Sequence, residues 1–222
     1  MFCAVIGDII NSKTLERRVE IQKKLKKVLE EINNEFDASI ASKFTITLGD
    51  EFQGLLKLPN NLLDIIEKIK LNLYPIRIRF GIGNGDIITE INKEASIGAD
   101  GPAYHNARKM IDEIRKSEKS KMKIDSDIKM LSDADFNCMN DDLINAVFLL
   151  SSYIESKWTD RQREVIIDFI KYKDNQRKSA DRLGVKQSTV QRLLKNSGFY
   201  NYLHAKEVIQ DVIIKKWRQV DE

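Results

Sequence analysis

Hydrophobic positions change their spacing from segment to segment along this 222-residue chain, and each change marks an element. Residues 2–10 (FCAVIGDII) form a near-continuous apolar run, expected of a strand buried on both faces. Asn11 or Ser12 can cap the next element, a helix in which Leu15, Val19, Leu25, Val28, Leu29, Ile32 and Phe36 recur at helical spacing opposite charged residues. Residues 43–48 and 52–58 read as two strands around a tight hairpin, Gly49-Asp50-Glu51, and Pro59 ends the second. Leu62, Leu63, Ile66, Ile69 and Leu73 share another helical face. Ile76, Ile78, Phe80 and Ile82 then alternate with Arg77, Arg79, Gly81 and Gly83, giving a strand with one buried face and one open to an arginine or a ligand. Pro102 opens a helix over 102–116, 117–127 is polar, and 128–131 is a short strand. Residues 132–141 read as loop and 142–155 as a helix.

The order β-α-β-β-α-β-α-β predicts an α/β sandwich of the α+β kind, with helices on a largely antiparallel sheet, over residues 1–131. Residues 132–156 are expected to be a linker and connecting helix. From 157 to 222 the pattern is all-α. Thr159-Asp160-Arg161-Gln162 has the form of a capping box ahead of Val165, Ile166, Phe169 and Ile170. In residues 176–195, Ala180 is small where two helices must touch, and Gly184 suits a left-handed turn. Val185, Val190 and Leu193 pack the second helix onto the first, which is the spacing a helix-turn-helix requires. Val208, Val212, Ile213 and Trp217 give the tail one apolar face, suited to packing or dimerisation.

Charge sharpens this division. Residues 157–222 hold 15 Lys+Arg against 9 Asp+Glu, whereas the remainder holds 22 against 25. A basic end-module on a mildly acidic body points to a polyanion partner for that module, namely double-stranded DNA. A recognition helix over 187–195 would present Gln187, Ser188, Thr189, Gln191, Arg192 and Lys195, with Arg177, Lys178, Arg182 and Lys186 adding charge around the turn. A helix-turn-helix that contacts protein instead is the alternative. Hydrophobic residues at 42% and charged residues at 32% are ordinary for a core-forming protein. No run approaches the roughly 18 apolar residues of a membrane span, and Met1–Asp8 does not read as a secretory signal. Cys3, Cys138, His105 and His204 are mutually isolated, so neither a disulfide framework nor a zinc site is expected, and a reducing cytoplasm fits.

Candidate chemistry lies in two similar strand ends, Val5-Ile6-Gly7-Asp8 and Thr47-Leu48-Gly49-Asp50. Aspartate is a hard oxygen ligand, and paired strands could bring Asp8 and Asp50 together around the Mg²⁺ or Mn²⁺ ions of a bound triphosphate, a two-ion site. The turn Ile9-Ile10-Asn11-Ser12 could cradle phosphates with backbone N–H groups. Arg108 could supply a cation at the developing charge, or serve as a surface ion pair. Glu51 is either a carboxylate of the site or a solvated hairpin residue. Gly81, Gly83 and Gly85 lack a dinucleotide fingerprint and are expected to allow a bulge or close backbone packing.

The succession GDIINS, LGDEFQG, RFGIGNGDI and ASIGADGPAYHNARKM resembles the catalytic domain of class III adenylyl and guanylyl cyclases. The hairpin Gly49-Asp50-Glu51-Phe52 is also similar to GGDEF domains, which share the palm-like, ferredoxin-like fold. With the C-terminal helix-turn-helix included, the whole chain resembles the SatD family. The resemblance implies that Asp8 and Asp50 are metal ligands, that Ile9, Ile10, Asn11, Ser12 and Glu51 surround the nucleotide, and that Arg108 is the transition-state arginine. Two positions depart from the cyclase pattern. Tyr104 stands four residues before Arg108 where cyclases usually carry Asn, and Ile46 or Thr47 stands about where adenylyl cyclases carry the lysine that reads the purine. The expectation is therefore a dimeric, DNA-binding regulator whose palm domain binds a metal–nucleoside triphosphate. The alternative is an active nucleotidyl cyclase or nucleotide-oligomerising enzyme regulated by its helix-turn-helix.

Overall fold

In the computed structural model, residues 1–12, 16–47, 49–120, 126–133 and 139–218 are described. Leu15, Leu48 and Cys138, named above, lie outside them. The elements come in the expected order: β1 (Phe2–Ile9), α1 (Arg18–Glu35), β2 (Ile40–Ile46), β3 (Glu51–Leu56), α2 (Leu62–Leu73), β4 (Ile78–Gly85), α3 (Pro102–Glu118) and β5 (Ile128–Ser132). Five further helices come next, α4 (Met139–Ser156), α5 (Asp160–Tyr172), α6 (Gln176–Leu183), α7 (Gln187–Asn196) and α8 (Phe199–Arg218). The sheet order is β2-β3-β1-β4-β5, antiparallel except for the parallel β4–β5 pair. The first six elements thus make the ferredoxin-like β-α-β-β-α-β arrangement with β1 and β3 central, to which α3 and β5 are added.

The period-two alternation assigns the two sheet faces. Cys3, Val5 and Ile9 of β1 and Ile78, Phe80 and Ile82 of β4 enter the main core with α1 and α2. Ala4 and Ile6 point the other way, onto Ala103, Tyr104, Ala107 and Ile111 of α3. Gly81 and Gly83 also face α3. A Cβ built on them would lie 2.1 Å and 2.0 Å from the carbonyl oxygens of Ala107 and Ala103, so glycine is what lets α3 lie directly on the sheet. Register runs unbroken between β1 and β4, so close packing rather than a bulge explains these glycines.

Several expected boundaries shift by a few residues, α4 for example taking in residues 139–141 that read as loop, and two shifts have a visible cause. β2 starts at Ile40 and stops at Ile46, because Thr47 instead closes the hairpin by donating to the Glu51 carbonyl, 2.9 Å away. The first helix starts at Arg18 with no side-chain cap, since the Ser12 hydroxyl donates to Asp50 instead.

A second core gathers Trp158, Val165, Ile166, Ala180, Val190, Leu194, Phe199 and Tyr202 around α5–α8. The capping box at Thr159 and Gln162 is formed, and Gly184 closes α6 in the left-handed conformation with φ 63°. α8 belongs to both cores. Its first turns carry Phe199 and Tyr202, whereas Ile209, Ile213 and Trp217 fill the sheet domain's core beside Ile144 and Phe148 of α4. Polar contacts fix it there. Lys206 pairs with Asp64 and Glu67 at 3.0 and 2.7 Å. The Gln210 amide accepts from Leu63 N and donates to the Pro59 carbonyl, which caps the α2 N-terminus. Near the end of α8 the buried Lys216 ammonium donates to Asp141 at 2.8 Å and Ser132 at 3.1 Å.

Candidate functional site

The two carboxylates predicted from the strand ends, Asp8 and Asp50, lie at the same end of the sheet, but the partner of Asp8 there is one the spacing alone does not give. Asp8 of β1 stands directly opposite Glu51 of β3 and Arg79 of β4 in the ladder, so all three side chains rise from the α3-covered face. Asp50 is one residue back, in the turn, where its carboxylate accepts from the buried Ser12 and its carbonyl accepts from Ile9 N at 3.2 Å. Ile10 N donates to the Arg77 carbonyl at 3.0 Å. The amides of Ile9 and Ile10 are therefore spent on the ladder and cannot cradle phosphates, and α1 begins well beyond Ser12. The expected cradle over residues 9–12 therefore loses the Ile9 and Ile10 amides, because the ladder continues past the end of β1.

α3 delivers the cations. Arg108 and Arg115 are seven residues, two turns, apart and so share a face. Arg108 grips both carboxylate oxygens of Glu51 with its two terminal guanidinium nitrogens, Nη1 and Nη2. Arg115 reaches Asp8 at 3.1 Å and also its own helix's Asp112 at 3.5 Å. Arg79 donates to Asp8 at 2.6 Å and, through Nε and Nη2, to both oxygens of Glu118 at 2.9 and 2.6 Å. Burial works against the Arg79 charge, yet hydrogen bonds to Glu118 and Asp8 outweigh it and hold its pKa above the ordinary value. Hydrogen bonding to Glu51 does the same for Arg108. The result is a partly buried cluster of carboxylates and three permanently charged guanidiniums. Arg115 and Glu118 were not singled out in the sequence. Arg79 had only its place in the strand alternation, and the seven-residue spacing from Arg108 could have pointed to Arg115.

Tyr104 is buried between α3 and the sheet, so an apolar ring occupies the position four residues before Arg108. Asn106 is turned to the other end of the sheet, where its amide donates to the Asn84 carbonyl at 3.1 Å. Among the described residues, no three acidic, histidine or cysteine side chains are already drawn together as a metal cage.

In the helical region, Arg177, Lys178, Lys186, Gln187, Ser188, Gln191, Arg192 and Lys195 are exposed, and Thr189 is half-buried. Gln187 is tied to Gln176 at 2.9 Å, and Gln176 in turn to the Tyr200 hydroxyl at 2.7 Å. Arg182, expected to add charge around the turn, is ion-paired within the fold. It donates to Asp168 at 2.9 and 2.7 Å and to Asp174 at 2.7 and 3.0 Å, with the Tyr172 ring 4.1 Å beneath it. Hydrogen bonding to Arg182 pulls the carboxyls of Asp168 and Asp174 below their usual values. Arg182 is thus matched within the fold, whereas Arg177, Lys178, Lys186, Arg192 and Lys195 have no carboxylate within ion-pair distance among the described residues.

Fold and site together define a ferredoxin-like α+β domain with a carboxylate–arginine cluster at one sheet end, followed by a helical region containing a helix-turn-helix. The SatD family model matches residues 2–213, and the chain belongs to the SatD family. No curated protein matches it. Among solved structures, a bacterial light-regulated adenylyl cyclase superposes with a TM-score of 0.39 at 12% identity, over 71% of this chain and 80% of that one. The Regulator of Polyketide Synthase Expression from Bifidobacterium adolescentis gives a TM-score of 0.29 at 12% identity, over 95% and 80%. No helix among the described residues is long and apolar enough to cross a membrane.

Proposed function

We propose that the sheet domain binds a metal–nucleoside triphosphate complex and that the helix-turn-helix binds duplex DNA, making the chain a nucleotide-responsive regulator. The carrying observation is the apposition of Asp8 and Glu51 on adjacent strands, ringed by Arg79, Arg108 and Arg115. The donors suit Mg²⁺ or Mn²⁺. They are hard carboxylate oxygens, and such an ion takes one or two carboxylates with phosphate and water completing its shell. Asp8 and Glu51 would hold it, with Asp50 beside them keeping the 9–12 turn in place. When bound, the ion supplies charge that neutralises phosphate oxygens. Carboxylates that turn to a cation release their guanidinium partners, and arginine forks match phosphate geometry. The buried Tyr104 ring puts no amide four residues before Arg108, which favours binding over cyclisation.

For DNA, Ser188, Gln191, Arg192 and Lys195 offer the polar and basic groups that meet base edges and phosphates. α8, running through both cores, is the physical link by which a nucleotide could bias the position of the recognition helix. A homodimer would place two such helices on paired half-sites.

The test uses the full chain, because removing residues 157–222 would strip Ile209, Ile213 and Trp217 from the sheet domain's core. Calorimetry with each nucleoside triphosphate and Mg²⁺ is expected to show saturable binding that Asp8→Asn and Glu51→Gln weaken at least about tenfold, the loss of one charge-assisted contact. No heat with any triphosphate sinks the nucleotide half. Arg192→Ala and Lys195→Ala are each expected to lower the salt slope of duplex DNA binding by about 0.9. If the unaltered chain shifts no duplex at low salt, the DNA half fails. Chromatography of the same mixtures decides turnover: a new product abolished by Asp8→Asn would replace the binding-only reading with an enzyme.

A further inference from the structure

A cavity of about 880 Å³ lies away from the carboxylate–arginine cluster, between the end of α2 and start of β4 on one side and α4 and α5 on the other. That is within the size range of small-molecule pockets. Its carboxylates are already matched: Glu67 by Lys206, Glu155 by Lys70, and Asp127 by Arg77, at 2.7, 2.6 and 2.7 Å. Two lining cations have no carboxylate within ion-pair reach among the described residues, Lys157 and Arg163. Each instead lies over aromatic rings. Lys157 Nζ is 4.9 Å from the Tyr153 centroid, and the Arg163 guanidinium is 4.8 and 5.2 Å from the Tyr74 and Trp158 centroids. Arg163 also donates to the Glu155 carbonyl at 2.6 Å, which fixes its plane. Beside them Leu150 and Tyr153 are 61% and 60% exposed, a large apolar surface for a cavity wall.

We propose that this cavity binds a small planar aromatic anion. The aromatic and leucine surfaces would take the ring, and Lys157 and Arg163 would take the negative group. Flat rings stack on tyrosine faces. The guanidinium and ammonium are charge-assisted donors, with no carboxylate competing for them. A neutral aromatic would leave both cations unused, and an inorganic anion would leave Leu150 and Tyr153 in water. The site is separate from the nucleotide cluster and stands whether or not that cluster binds a triphosphate.

The probe is 8-anilinonaphthalene-1-sulfonate, titrated into the full chain while tryptophan emission is followed. The chain has two tryptophans. Trp158 lines the cavity, whereas Trp217 is in the core around the sheet. Saturable one-to-one dye fluorescence with matching tryptophan quenching is expected, and Trp158→Phe should remove most of the quenching without removing binding. Lys157→Glu and Tyr153→Ala, both at exposed residues, should each weaken the dye at least about tenfold with an unchanged melting temperature. The neutral dye N-phenyl-1-naphthylamine should bind about tenfold more weakly or worse, and sodium sulfate should not displace the sulfonate at matched ionic strength. Unsaturable fluorescence, unchanged affinity in both variants, equal affinity for the neutral dye, or displacement by sulfate alone would overturn the proposal.

Discussion

Replacing Gly83 by alanine probes the contact that brings the arginines of α3 to the carboxylates of β1 and β3. The new methyl would lie 2.0 Å from the Ala103 carbonyl oxygen and 2.4 Å from the Ala107 nitrogen. Carbon–oxygen contacts ordinarily begin near 3.3 Å, so the helix would have to rise by about 1.3 Å, and both obstructing atoms are backbone with no rotamer to escape into. Overpacking of this kind costs about 1–3 kcal/mol, and the backbone obstruction places Gly83→Ala in the upper part of that range. For a chain of this size that is a fall in melting temperature of roughly 4–12 °C, read by differential scanning calorimetry. The contrast is Gly98→Ala. Nothing lies within 4 Å there, and only its φ of +86° is unfavourable, a strain of about 1–2 kcal/mol. A lifted α3 would also carry Arg108 and Arg115 away from Glu51 and Asp8, so Gly83→Ala should weaken triphosphate binding whereas Gly98→Ala should not. If Gly83→Ala melts within about 1 °C of the unaltered chain, α3 does not ride in backbone contact with β4 and the packing argument fails.

The ion pairs set two further outcomes. Lys216→Met leaves the buried Asp141 carboxylate without its cation, though Ser132 N and Oγ still donate to it. The expected loss is about 3 kcal/mol in urea unfolding, and adding Asp141→Asn should recover part of it; equal destabilisation by single and double variants would refute the pairing. The Asp168 carboxyl is held below its usual value by Arg182, so its stabilisation is complete above the unfolded carboxylate pKa of about 4 and is lost as pH falls through the lower folded value. Arg182→Gln should therefore lower stability at neutral pH and flatten its decline on acidification below about pH 4, followed by circular dichroism; a parallel decline would show that Arg182 does not set the Asp168 pKa.

The order of strands and helices could be read from the chain because hydrophobic spacing is a local signal. Ile78, Phe80 and Ile82 announce one buried face whatever packs on it, and Thr159 with Gln162, or Gly184, announces a helix boundary within a few residues. The site was read only in part. The two Gly-Asp strand ends pointed to Asp8 and Asp50, but strand register set Glu51, not Asp50, opposite Asp8 and turned Asp50 to Ser12. Arg79, Arg115 and Glu118 carry no local mark of function: β1–β4 register sets Arg79 opposite Asp8, and α3, crossing β4 over two glycines, brings Arg115 to Asp8 and Glu118 to Arg79.

The chain by itself determined the β-α-β-β-α-β-α-β order, the helix-turn-helix and the basic character of residues 157–222, since each depends on neighbours within a turn or two. Only the tertiary structure decided that Arg182 is matched by Asp168 and Asp174, that Gln210 caps a helix 147 residues away, and that α8 fills two cores. Those pairings depend on which surfaces come to lie against each other, and periodicity states that a face is buried without stating what buries it.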